Sequence, residues 1–125
     1  MKTILFSPGE PAGIGPDLII KLVNSKIWES IDSRIVCLGD SEFFFKRSNL
    51  LEQKIKIHKL GSLSKVKRNK KGILQVFKVK SCEDISPCKP NPINAKYILD
   101  HLDFGIKYCK THKKTALVTG PIQKS

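Results

Sequence analysis

Two short segments of this 125-residue chain concentrate the residue types that hold small anionic ligands. The first is Ser7-Pro8-Gly9-Glu10-Pro11-Ala12-Gly13-Ile14-Gly15-Pro16-Asp17, and the second is Thr119-Gly120-Pro121-Ile122-Gln123-Lys124. Glycine, lacking a Cβ, lets backbone amides come close to a bound group, while proline stiffens the approach. Glu10, Gly13, Gly15, Thr119, Gly120 and Lys124 are therefore the candidates for binding a substrate or cofactor, and Lys124 is suited to a phosphate or carboxylate. The same composition also suits tight turns that bury the ends of a sheet, and composition alone leaves the two readings level. Neither nucleotide fingerprint is present. Gly13-x-Gly15 lacks its third glycine, because Leu18 occupies that place, and there is no Gly-Lys-[Ser/Thr].

Other chemistry is thin. His58, His101 and His112 lie 43 and 11 residues apart, which matches no metal-ligand spacing, so surface or helix-end positions are expected for them. Cys37, Cys82, Cys88 and Cys109 include no C-x-x-C pair, which argues against a structural zinc or a thioredoxin-like motif; reduced, mostly buried thiols are expected. Asp32, Asp40, Asp84, Asp100 and Asp103 offer no acid–base pairing. No catalytic residue and no metal ligand is assigned within the chain.

The elements that must position the two segments follow from pattern. Lys2 to Phe6 is an apolar run that ends in Ser7-Pro8-Gly9, a strand delivered into a turn. Pro16 opens a helix to about Asn24, with Leu18, Leu22 and Ile19 expected inside and Asp17 at the positive end of its dipole. Arg34 to Leu38 is a second strand, and Asp40 caps a helix from Ser41 to about Leu51. Lys54 to His58 and Ile73 to Val79 alternate as strands, and without a helix between them an antiparallel pair is expected. Ser81 to Pro92 reads as a loop. Asn94 caps a longer helix carrying Ala95, Ile98, Leu102, Ile106 and Cys109 on one face, and Thr115 to Thr119 is the last strand. Together these predict a three-layer α/β/α fold with a mostly parallel sheet, whose ligands bind beyond the carboxyl ends of the strands.

Composition bounds the function. With 40% hydrophobic and 27% charged residues the chain is globular, and no apolar run approaches the roughly 20 residues of a membrane span, so a cytoplasmic protein away from membranes is expected. The net charge of +12 raises the question of nucleic acid. Of its 23 basic residues, however, only Arg34, Arg47 and Arg68 are arginine, the side chain whose planar fork reads phosphates and bases. The dense run Lys65-Val66-Lys67-Arg68-Asn69-Lys70-Lys71 has no interleaved aromatic to stack on bases, and it reads as a solvated loop between two strands.

The string from Ser7 to Asp17, with Thr119 to Lys124, closely resembles the 4-hydroxythreonine-4-phosphate dehydrogenase family of pyridoxal phosphate biosynthesis. The likeness runs along the whole chain, including Cys37-Leu38-Gly39-Asp40 and Asn91-Pro92-Ile93-Asn94-Ala95. It implies residues 1–125 as the amino-terminal part of the first domain of a two-domain enzyme, similar to isocitrate and isopropylmalate dehydrogenases, with the fold incomplete and no second domain. It also implies a homodimer that oxidises the secondary alcohol of a small phosphorylated substrate with NAD or NADP. The 3-oxo acid so formed loses carbon dioxide to give 3-amino-2-oxopropyl phosphate. A divalent metal (Zn, Mg or Co) is held by family histidines that fall beyond residue 125, so no turnover is expected from these residues alone. Where many members carry His before the lysine, this chain has Gln123, which keeps hydrogen bonding but cannot shuttle a proton. An unpaired sheet edge with exposed apolar surface is expected of such a piece. A small polyanion-binding module acting through residues 65–71 and a decayed gene product without a present role remain the alternatives.

Overall fold

Period-two and β-branched runs become strands, and the Gly/Pro segments become the bends between them, in a computed structural model that describes residues 1–9, 13–79 and 92–120. The strands are β1 (Lys2–Ser7), β2 (Ser33–Leu38), β3 (Lys56–Lys59), β4 (Ile73–Phe77) and β5 (Thr115–Thr119); the helices are α1 (Gly15–Val23), α2 (Ser41–Leu50) and α3 (Pro92–Thr111). One five-stranded sheet runs β3-β4-β2-β1-β5 with every strand pair parallel. One face carries α1 and α2 over Ile35, Cys37, Leu74 and Val76. The other carries α3 and the β3–β4 connection over Leu5, Val36, Leu38 and Leu117. The fold is thus the expected three-layer α/β arrangement.

The expected antiparallel β3–β4 pair is a correction. The two strands pair in parallel from Lys56↔Ile73 to Lys59↔Val76. A parallel return needs about a dozen residues to cross the sheet, and the connection over 60–72 has that length without a long helix. It takes the place of one by burying Leu60, Leu63 and Val66 against the sheet face. The basic run is therefore only partly solvated, since Val66 and Asn69 within it are buried.

Asn69 also repairs the sheet. Direct β2–β4 pairing is confined to Cys37↔Val76 and Leu38↔Phe77. Toward the start of β2, the Asn69 side chain substitutes for a neighbouring strand: its Oδ1 accepts from Ile35 N at 2.9 Å and its Nδ2 donates to Ser33 O at 2.8 Å. Gln75 fastens the same connection, with Oε1 accepting from Lys67 N and Nε2 donating to Lys67 O, each at 2.8 Å. Buried backbone groups of β2 thus find partners where the ladder ends.

The inner face of α1 also differs from expectation. Ile19, Ile20 and Val23 are buried, whereas Leu18 is 53% exposed and Leu22 half-buried. Spacings of one, three and four residues bring Ile19, Ile20 and Val23 onto one stripe, and Leu18 falls beside it. In α2, Asp40 caps as expected, its Oδ1 accepting from Glu42 N at 3.1 Å. The helix ends in a Schellman turn, with Gln53 N donating to Ser48 O and Glu52 N to Asn49 O, and Glu52 sits there at φ 55°. α3 begins at Pro92, before the expected cap at Asn94. Ile98, His101 and Gly105 form its buried stripe, while Ile106 is half exposed. The loop expected over Ser81 to Pro92 lies, apart from Pro92, outside the described residues.

Two substitutions test these local arguments by urea unfolding. Asn69→Ala, which strands Ile35 N and Ser33 O, is expected to cost about 2–4 kcal/mol, while the neighbouring exposed Arg68→Ala stays within about 0.5 kcal/mol. Glu52→Gly is expected to gain about 0.5–1 kcal/mol, because only glycine occupies the left-handed region without steric cost.

Candidate functional site

The two Gly/Pro segments meet at the carboxyl rim of the sheet, because β1 and β5 are parallel neighbours in register from Thr3↔Thr115 to Ser7↔Thr119. Gly120 N donates to Ser7 O at 2.7 Å, carrying the ladder one residue past the end of β5. Ser7 and Pro8 are fully buried, and Gly9 turns the chain at φ 81°. Gly15 then begins α1, with Pro16 in the first turn.

What makes glycine necessary at 15 and 120 is the carbonyl of Pro8. A Cβ built on Gly15 overlaps Pro8 O, and one built on Gly120 overlaps the same oxygen while lying 3.3 Å from Gly15 Cα. At these two positions the tight-turn reading holds: the atoms that approach are the protein's own backbone. Gly13 is half-buried, and Thr119 is exposed at the end of β5. Gly13, Gly15, Thr119 and Gly120 thus belong to one rim, and Glu10 and Lys124 lie outside the described residues.

Two further features shape this rim. Ile14 occupies the N-cap of α1 and offers no side-chain bond, so the first-turn amides have no side-chain cap and suit an anion. Asp17 in that turn is 3.2 Å from Arg47 of α2, whose guanidinium also lies over the Phe43 ring at 5.4 Å. This pair ties the start of α1 to α2 and keeps the Asp17 carboxylate partly engaged.

The histidines correct one expectation. His58 and His112 are exposed, His112 at the end of α3 with Nδ1 2.9 Å from Tyr108 O. His101 is instead buried, at 1% exposure, one turn before the point where Gly105 packs on Leu117. Its place on the inner stripe of α3 was hidden because the apolar pattern selected Leu102 and Ile106. Among the described residues no three His, Cys, Asp or Glu side chains stand together as a metal site. No helix of the described residues is long and apolar enough to cross a membrane. Burial pushes the Cys37 thiol well above its ordinary pKa and raises that of Cys109, so neither is primed as a nucleophile; Cys82 and Cys88 lie outside the described residues.

A comparison of glycines tests the rim. Gly15→Ala and Gly120→Ala meet backbone and are each expected to cost about 2–3 kcal/mol in thermal or urea unfolding. Gly105→Ala meets the end of the Leu117 side chain, which can shift, and is expected to cost about 1 kcal/mol or less.

The comparisons agree with this architecture. The family model described as pyridoxal phosphate biosynthetic protein PdxA matches residues 30–125. The 4-hydroxythreonine-4-phosphate dehydrogenase of Methylococcus capsulatus is 34% identical over 122 residues, which is 98% of this chain and 36% of the relative. That of Wigglesworthia glossinidia brevipalpis is 33% identical over 99% of this chain and 36% of the relative. A crystal structure of the dehydrogenase of the same name from Burkholderia phymatum superposes with a TM-score of 0.84 at 18% identity, covering 99% of this chain and 37% of that one. The chain therefore spans about a third of the length of the relatives it matches, and by the extent of the family match it belongs to the PdxA family.

Proposed function

We propose that this chain supplies the amino-terminal part of the first domain of a dehydrogenase of this family, and with it one half of a cleft for a small phosphorylated substrate. The observation that carries the reading is the meeting of the β1–α1 bend with the end of β5, joined by the Gly120 N to Ser7 O bond. Small molecules bind parallel α/β sheets at this rim, where loops converge and helix amino termini point outward. In this reading the first-turn amides of α1 and Lys124 hold the phosphate, while Glu10, Gly13 and Thr119 border the substrate.

The relatives' name specifies 4-hydroxythreonine 4-phosphate, a phosphorylated hydroxy amino acid. Oxidising its secondary alcohol transfers a hydride, which NAD or NADP accepts when bound. By the resemblance the metal ligands lie outside these residues, and Gln123 can hydrogen-bond but not act as a general acid or base, because a side-chain amide does not titrate near neutral pH. On the strength of the resemblance alone, the assembled enzyme is read as a cytoplasmic homodimer.

Nicotinamide reduction by the 125-residue chain, supplied with 4-phosphooxy-L-threonine, NAD or NADP and a divalent metal, is expected to stay at the buffer rate. A chimera in which this chain replaces the matching part of the Methylococcus capsulatus relative is expected to turn over. Gly120→Ala in that chimera should lower kcat/KM by about tenfold or more, since sub-ångström displacement of a binding rim is costly. Turnover by the short chain at ordinary rates of about 1–10³ s⁻¹ would overturn the half-cleft reading. So would a folded chimera with no activity.

A further inference from the structure

The dense basic run from Lys65 to Lys71 takes no part in the carboxyl rim, and the fold does not leave it as a free loop. Val66 and Asn69 are buried, the backbone N and O of Lys67 are both bonded to the Gln75 side chain at 2.8 Å, and Lys70 forms an antiparallel bridge with Ile73. Residues 66–70 are therefore a strip tied to the sheet at several points. The cations it carries, Lys67, Arg68 and Lys70, are exposed and have only their side-chain rotamers left to order when they meet a ligand.

Opposite the strip stands β3. Register pairs Lys56 with Ile73 and His58 with Gln75, so these side chains share one face of the sheet. His58, Lys67, Arg68 and Lys70 then wall a cleft of about 280 Å³ over Ile73 and Gln75. A second cleft of about 430 Å³ adjoins it, since Lys70 and Ile73 line both, and it adds Lys54, Lys56 and Lys71. Among the described residues neither Arg68 nor any of these lysines is engaged in an ion pair. Like charges gathered so closely repel one another, a cost to the fold that a bound anion relieves.

We propose that the two joined clefts bind a short chain of linked phosphates through charge alone. A single phosphate fills only one cleft, whereas linked phosphates reach the cations of both. Lysine, which supplies most of those cations, is a point charge without the two-point fork of arginine, and no aromatic side chain lines either cleft to stack on a base. Clefts of this volume fit a small molecule and not a folded partner. In the strand order β3-β4-β2-β1-β5 the site lies at the opposite side of the sheet from the candidate rim, about 19 Å from β5 at the usual strand spacing of about 4.8 Å. It stands or falls without the dehydrogenase reading.

The test titrates inorganic tripolyphosphate into the 125-residue chain by calorimetry at about 0.1 M salt, with amide shifts followed by NMR. One equivalent is expected to bind, moving the amides of residues 56–58 and 67–73, and to bind about tenfold or more tightly than orthophosphate. ATP carries the same linked phosphates and is expected within about threefold of tripolyphosphate. Arg68→Gln combined with Lys70→Gln should weaken binding about tenfold or more while leaving the thermal melt within about 3 °C. Lys26→Gln combined with Lys113→Gln removes the same charge from exposed positions elsewhere and should change binding less than about twofold. Equal weakening by the two double variants overturns the proposal, because net charge alone then accounts for the binding. So does orthophosphate that binds as tightly, or an RNA oligomer that excess tripolyphosphate fails to displace.

Discussion

Everything at the carboxyl rim depends on the space around one backbone carbonyl, that of Pro8. Gly15 and Gly120 both close on it, so the entry to α1 and the exit from β5 are fixed by a single contact. A side chain at either position would push the two bends apart, and with them the Ser7–Gly120 hydrogen bond. The glycines therefore act first as packing residues. Any ligand at this rim is held by groups whose positions that packing has already set, which is the preorganisation a binding site needs.

The layer away from the rim solves a different problem. β4 and β2 touch for only two residue pairs, so the start of β2, paired with β1 on one side, has no strand on its β4 side. The side-chain amide of Asn69 bonds Ile35 N and Ser33 O there, Gln75 Nε2 donates to Ile35 O, and Leu63 and Val66 anchor the connection on the sheet as a helix would. On the β3 side of the sheet, Leu60, Leu63 and Val66 pack on one face and the border strand carries exposed Lys56, His58 and Lys59. On the β5 side Leu117 packs under Gly105 of α3, while Ala116 and Val118 on the other face are exposed among the described residues.

Much of this was legible in sequence. All five strands and three helices follow from periodicity and capping, with bounds off by a few residues, because each is a local pattern: alternation for β4, Asp40 before α2, Gly and Pro at the bends. The direction of β3 was not legible. A helix-free connection looks like a hairpin until one sees that its Leu60, Leu63 and Val66 are drawn onto the sheet. Nor was the burial of His101 or the exposure of Leu18, since a period of 3.6 allows neighbouring stripes and only the partner surface selects one.

By itself the sequence determined the alternation of strands and helices, the two Gly/Pro segments and the family they resemble, because these depend on residue types at short spacing. Only the tertiary structure decided that Gly15 and Gly120 make room for Pro8, that Asn69 stands in for a strand on one side of β2 and that β3 runs parallel to β4. Each of these is a relation between residues distant in the chain, set by which surfaces meet once the sheet has formed.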